Sequence, residues 1–263
     1  MDMIYIALFF MICIFLLILA VGLLLMGEHF RNKYPDSIFS KWWNSNVITE
    51  YSVDPEFTGK ELEALRISNF INFVKEECEK NGVEFQSSEG RYVELSEDIK
   101  CGGYFDDGAS GGSAVLAFAG GHRDFLELLA HEYSHMTQWS DGIELWKKAG
   151  HSLEALHSWL EGQEVEDIEK HIDIARDLEL DNEMRTVEVI KRWNLPIDVE
   201  SYIKKSNAYV HFYNYLKVSR KWSEPDNSPY TNEEILKEMS TNFDMDYETL
   251  SPRLLEIFKK ENI

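Results

Sequence analysis

The sequence predicts an α+β protein: a helix-rich domain with a small sheet, preceded by one N-terminal transmembrane helix. Three observations carry that expectation. Residues 4–26 form a run of 23 residues without a charge, long enough to cross a bilayer as a helix. Apolar residues return at helical spacing through most of the remaining chain. Three short strand-like segments, punctuated by glycine, lie between the first and second soluble helices.

Composition bounds the reading. The chain has 263 residues, 44% of them hydrophobic and 28% charged, which suffices for one sizeable core plus an appendage. A net charge of −21 repels nucleic acid and anionic lipid, and no basic patch argues otherwise, so no nucleic-acid partner is expected. Cys13, Cys78 and Cys101 make no even framework and no C-x-x-C, so disulfides are not expected to carry the fold. Nothing in the sequence sets an oligomeric state.

The uncharged run at 4–26 suits an anchor better than a cleaved signal peptide. A signal peptide wants a basic start, a shorter apolar core and a small-x-small cleavage site. Here the start is Met1-Asp2-Met3, and no Ala-x-Ala follows. Residues 1–26 are therefore read as a membrane anchor. Arg31, Lys33 and Lys41 follow the span while Asp2 precedes it, so the positive-inside rule places the C-terminal domain in the cytoplasm of a single-pass protein. Residues 27–57, with Pro35 and Pro55, read as a juxtamembrane linker. Its Phe39, Trp42 and Trp43 suit either the membrane interface or packing on the domain.

The soluble domain is expected over 58–263. Residues 58–80 form an amphipathic helix with Leu62, Leu65, Phe70, Phe73 and Val74 on one side, ended by Asn81-Gly82. Strands are expected at 83–86, 91–95 and 113–119. Seven of the fifteen glycines fall between Gly102 and Gly121, yet no Gly-Lys-Ser/Thr follows, which excludes a phosphate loop. The apolar strand at 114–118 runs straight into the next helix, where it would lie beside that helix's polar site and pair with an extended peptide.

That next helix, 125–139, contains His131-Glu132-Tyr133-Ser134-His135. Residues four apart share a helix face, so the two imidazoles can converge on one metal ion. Glu132 lies about 100° round the helix and can take a proton from water on the open side of that ion. Good helix formers (Leu126, Leu128, Leu129, Ala130, Met136) and glycines at both ends support the assignment. The pattern His-Glu-x-x-His is a zinc-protease signature.

Helices are next expected at 144–160 and 163–193. Between Glu161 and Glu188 there are eleven acidic residues against Lys170, Arg176 and Arg185. Most read as a solvated face, Asp173, Asp177 and Asp181 among them. Glu179 and Glu183, however, fall on the apolar stripe of Ile168, Ile172, Ala175, Val187 and Ile190. Carboxylates there need a cation or hydrogen-bond donors. Further helices are expected at 199–219, rich in aromatic residues, and at 231–239. Tyr209, His211 and Tyr213 are candidate donors to a developing oxyanion, while His122, His151, His157 and His171 are read as ordinary surface or core histidines.

His131-Glu132-x-x-His135, followed by a distant helix with Glu179-x-x-x-Glu183, resembles the gluzincins, metallopeptidases with two His ligands and one Glu. The helix resembles that of membrane-bound heat-shock metalloproteases and of bacterial and phage putative peptidases. The likeness covers residues 125–193. It implies a zincin-like domain, one zinc ion per chain, and ligands His131, His135 and Glu179. Glu132 would be the general base of a zinc endopeptidase acting on peptide or protein substrates. Glu183 stands where the family has Asp, and would accept the second N–H of a ligating histidine. That departure leaves the division of roles between Glu179 and Glu183 open at this point. An alternative is a catalytically silent metal-binding regulatory or interaction protein on the same scaffold, although such a role would not need Glu132.

Overall fold

A computed structural model of the chain describes residues 59–263, apart from 97–98, 110 and 225–226. The expected anchor at 4–26 and linker at 27–57 lie outside the described residues. Among the described residues no helix is long and apolar enough to cross a membrane. The described part is helix-rich α+β with a small mixed sheet.

Helix α1 (Gly59–Asn81) buries Phe70, Val74 and Cys78, a four-residue step that keeps one face inward. The expected Leu65 is 39% exposed, because the inward register runs through Ile67, Phe70 and Val74. Gly82, at φ +70°, turns the chain out of the helix, a left-handed conformation that glycine adopts without a Cβ penalty.

Five strands follow: β1 (Glu84–Ser88), β2 (Val93–Ser96), β3 (Ile99–Cys101), β4 (Gly103–Asp106) and β5 (Val115–Ala119). The three-stranded sheet has the order β1-β5-β4, with β1 parallel and β4 antiparallel to β5. Strands β2 and β3 pair separately as an antiparallel hairpin. Leu116 and Phe118 of β5 join the helical core, while Ala117 and Ala119 pack with Val93 on the opposite face. Burial on both faces explains the uninterrupted apolar run. It also corrects an expectation: β5 is the central strand, with both edges occupied, and the outer edges of this sheet belong to β1 and β4. The Ala119 amide donates to the Gly102 carbonyl at 2.8 Å. In the antiparallel ladder this makes Tyr104 and Ala117 the next bonded pair, so Gly103 and Phe105 turn their backbone amides and carbonyls to the open edge.

The helices are α2 (Phe125–Ser140), α3 (Glu144–Leu160), α4 (Ile168–Trp193), α5 (Val199–Ser219), α6 (Glu233–Lys237) and α7 (Pro252–Lys260). Helix α2 lies against β4, β5 and α4, and α4 runs between α3 and α5. Helix α4 begins at Ile168 rather than 163, because Asp167 adopts a left-handed φ of 52° that a continuing helix cannot contain. It ends on Asn194, also left-handed, with the Leu195 amide donating back to the Ile190 carbonyl. Asp198 caps α5 through the Ser201 amide, and Ser251 caps α7 through the Leu254 amide with Pro252 in the first turn.

Besides the small Val93–Ala117–Ala119 cluster, two larger apolar cores result among the described residues. The first joins Phe70, Leu116, Leu129 and Met136 to Val187 and Ile190. The second joins Ile172 and Ala175 to Phe212, Leu216, Ile235 and Phe258. Helix α4 is thus held at both ends, and Glu179 and Glu183 occupy the stretch between. Phe258 is fully buried, with its ring 5.1 Å from that of Tyr215. Phe258→Ala is expected to cost about 3–5 kcal/mol, read as a lower urea midpoint. An unchanged midpoint would mean that α7 does not close the second core.

Candidate metal centre

Helices α2 and α4 bring His131, His135 and Glu179 together, each offering one ligand atom, with these atoms all within 4.8 Å of one another. The Glu179 Oε2 lies 3.7 Å from His131 Nε2 and 3.6 Å from His135 Nε2. The two rings stand edge to face, centroids 4.8 Å apart. Tetrahedral zinc, with ligand bonds of about 2.0–2.2 Å, sets its ligand atoms about 3.4 Å apart. The two Glu179–histidine separations come near that value, so the group could hold such an ion.

Hydrogen bonds fix which nitrogen each histidine presents. Gln138 is fully buried, and its Nε2 donates to the Leu178 carbonyl at 3.0 Å and to Asp181 Oδ2 at 2.7 Å. Its Oε1 must then accept from His135 Nδ1, 2.9 Å away. That leaves the His135 Nε2 lone pair directed at Glu179. Likewise His131 Nδ1 lies 3.3 Å from Glu183 Oε1, a pure acceptor, so in the neutral ring its Nε2 faces Glu179 as a lone pair. Asn182 Nδ2 lies 3.1 Å from the same Nδ1 while Asn182 Oδ1 has no hydrogen-bond partner. Turning that amide over gives the His131 N–H a second acceptor. With both rings neutral, two lone pairs and a carboxylate oxygen face one another at this spacing, a repulsion that either a cation among them or protonation of a ring relieves. Consistent with that, Glu179 Oε2 is buried without a hydrogen-bond partner.

Glu183 occupies the other role. Its Oε2 accepts from the Tyr202 hydroxyl at 2.6 Å and from the Ser206 hydroxyl at 2.7 Å. Burial would raise its pKa, but the charge and N–H of His131, then the two hydroxyls, outweigh burial and hold it low. For His131, burial disfavours the charged ring, yet Glu183, Glu132 and Glu179 together lift its pKa to about 10. The pocket's negative field demands positive charge. Glu132 is 7% exposed, and burial above all raises its pKa, with Glu179 and Glu183 adding to the rise while His131 and His135 oppose it. A buried carboxylate of raised pKa beside two imidazoles is suited to accept a proton.

Several of these partners were not legible in the sequence. Gln138, three residues after His135, follows the i, i+3 spacing of a helix face. Tyr202 and Ser206 reach the site only because α5 packs on α4. Trp146 of α3 covers His135, centroids 6.0 Å apart, and its Nε1 donates to Asp107 Oδ2 at 3.0 Å. Gly103 of β4 faces Glu132. Of the oxyanion candidates, Tyr209 and Tyr213 lie in the field of Glu179, their hydroxyls 3.3 Å apart. His211 does not join them. It lies between them in sequence, about 200° round the helix, and stacks on Tyr247 with centroids 5.4 Å apart. Its pKa is pushed down to about 4, mainly by burial. His122, His151, His157 and His171 also lie outside the metal-ligand group.

No family model, no curated protein and no solved structure matches this chain. The case for the site therefore rests on its own geometry. The full chain is expected to hold one zinc ion, and His131→Ala or His135→Ala to remove it. Glu179→Gln should reduce zinc content severely, because a neutral amide is a poor zinc ligand. Glu183→Gln should weaken affinity about 10–100-fold. Atomic absorption after dialysis checks all four. A site emptied by Glu183→Gln but filled in Glu179→Gln would reverse the two roles.

Proposed function

We propose that this chain is a zinc-dependent metallopeptidase of the gluzincin kind, its zincin-like domain tethered to the membrane by residues 4–26 and facing the cytoplasm. One observation carries the reading: a two-histidine, one-glutamate cluster that could hold a metal ion, flanked by the buried carboxylate of Glu132. His131, His135 and Glu179 would hold the zinc, and three protein ligands leave the open position that catalytic sites keep. When bound, zinc supplies Lewis acidity and water of pKa about 7. The likeness to the gluzincins rests on the same residues.

The chain's own residues then divide the work. Glu132 takes a proton from the attacking water on its carboxylate and passes it to the departing amine nitrogen. Glu183 and Gln138 hold the imidazoles in the tautomers that aim Nε2 at the ion. Tyr209, the more accessible of the tyrosine pair beside Glu179, offers its O–H to charge developing on the scissile carbonyl oxygen, with Tyr213 behind it. The open edge of β4 passes beside Glu132, and the outward amides and carbonyls of Gly103 and Phe105 can pair with an extended peptide.

A purely metal-binding role would leave Glu132, whose carboxylate stands beside the ligand group, without a task. The test is Glu132→Gln. It is expected to retain zinc and lower peptide turnover about 10²–10⁴-fold, the usual worth of a general base, measured by mass spectrometry on a peptide library. Turnover equal to that of the unaltered chain would rule out Glu132 as the base. Removing the ion with a chelator should lower the melting temperature, because an ion bound only by the folded state stabilises it. An unchanged melting temperature would mean that no such ion is held.

A further inference from the structure

The glycine run that opens at Gly102 has a task at the site. A Cβ built on Gly103 would stand 3.1 Å from Glu132 Cγ, 3.3 Å from Glu132 Oε1 and 3.0 Å from the Ala117 carbonyl oxygen. The backbone of β4 and the side chain of Glu132 are thus in direct contact, and a methyl group at 103 fits only if a neighbour gives way by a few tenths of an ångström. Gly103 is not in the left-handed region, so its backbone conformation alone does not require glycine. Space favours it. Its neighbour differs: a Cβ on Gly102 would meet Leu128 Cδ1 at 2.7 Å, the movable end of a leucine. Leu128 and Glu132 are one turn apart on α2, so the two glycines let β4 lie flush along that face of the helix.

We propose that Gly103 is a positioning residue, a backbone seat that fixes where the Glu132 carboxylate stands. Any side chain at 103 displaces Glu132 by a few tenths of an ångström, because the Ala117 carbonyl on the other side belongs to the β4–β5 ladder and yields less readily. The role in turnover rests on the peptidase reading, whereas the contact itself does not.

A stability cycle on the zinc-loaded full chain separates the two. Gly103→Ala is expected to lower the melting temperature by about 2–4 °C in the unaltered chain, the shift of a modest clash in a domain of this size. In a Glu132→Ala background, where the clashing atoms are gone, it should lower it by less than half as much. Gly102→Ala should have the same effect in both backgrounds. Equal shifts from Gly103→Ala in both backgrounds would overturn the proposal and assign the conflict to Ala117. For turnover, Gly103→Ala should lower kcat about tenfold with zinc content and KM unchanged, since misplacing a reacting group by about 1 Å costs about 100-fold. Gly102→Ala should leave kcat close to that of the unaltered chain. Coupling in the melting temperatures with no turnover in any variant would leave the seat standing and remove the peptidase reading. Coupling with an unchanged kcat in an active enzyme would overturn Gly103's catalytic positioning role.

Discussion

The arrangement depends on one contact that calls for positive charge. Glu179 Oε2 is buried, accepts no hydrogen bond and faces two imidazole nitrogens at 3.6 and 3.7 Å. Burying a carboxylate oxygen without a hydrogen-bond donor is among the costlier things a fold can do. Here α2 and α4 pack so that it happens at their midpoint, between two apolar cores that hold α4 at either end. The helices are further tied by Arg185, which donates to Asp181 on its own helix and to Asp141 and Thr137 at the end of α2. A cation among the three ligand atoms would turn that cost into coordination, and the packing that brings them together would become preorganisation.

The surroundings are ordered around that contact. Gln138 and Glu183 each accept from the Nδ1 of a histidine, from opposite sides. One turn before Glu179, the guanidinium of Arg176 is 5% exposed and donates to Asp173, Asp177 and Asn214. Its charge is therefore spent on neighbours and does not neutralise Glu179. In a chain of net charge −21, three carboxylates in one pocket without a Lys or Arg ion pair to any of them, among the described residues, leave the demand for a cation in place.

What was legible in the sequence was local. His131, Glu132 and His135 declare themselves because four residues return a side chain to the same helix face, and Glu179 and Glu183 stand out as acids on an apolar stripe. The same rule exposes Tyr209 and Tyr213 together. It should have separated His211 from them, since two residues along a helix face nearly opposite ways. What was not legible was pairing between distant segments. The strand order that makes β5 central and β4 an outer edge is set by contacts absent from any local pattern. Likewise, the late start of α4 turns on the left-handed Asp167, which the acidic run conceals. Gly103 is favoured for space and not for conformation, so it has no signature in the sequence at all.

The central claim is a metal held by two imidazole nitrogens and a carboxylate oxygen. X-ray absorption at the zinc edge of the zinc-loaded full chain tests it most directly. The account predicts a first shell of nitrogen and oxygen only, at about 2.0–2.2 Å, with the outer-shell scattering of two imidazole rings. A sulfur scatterer at about 2.3 Å, or an oxygen-only shell without imidazole, would contradict it.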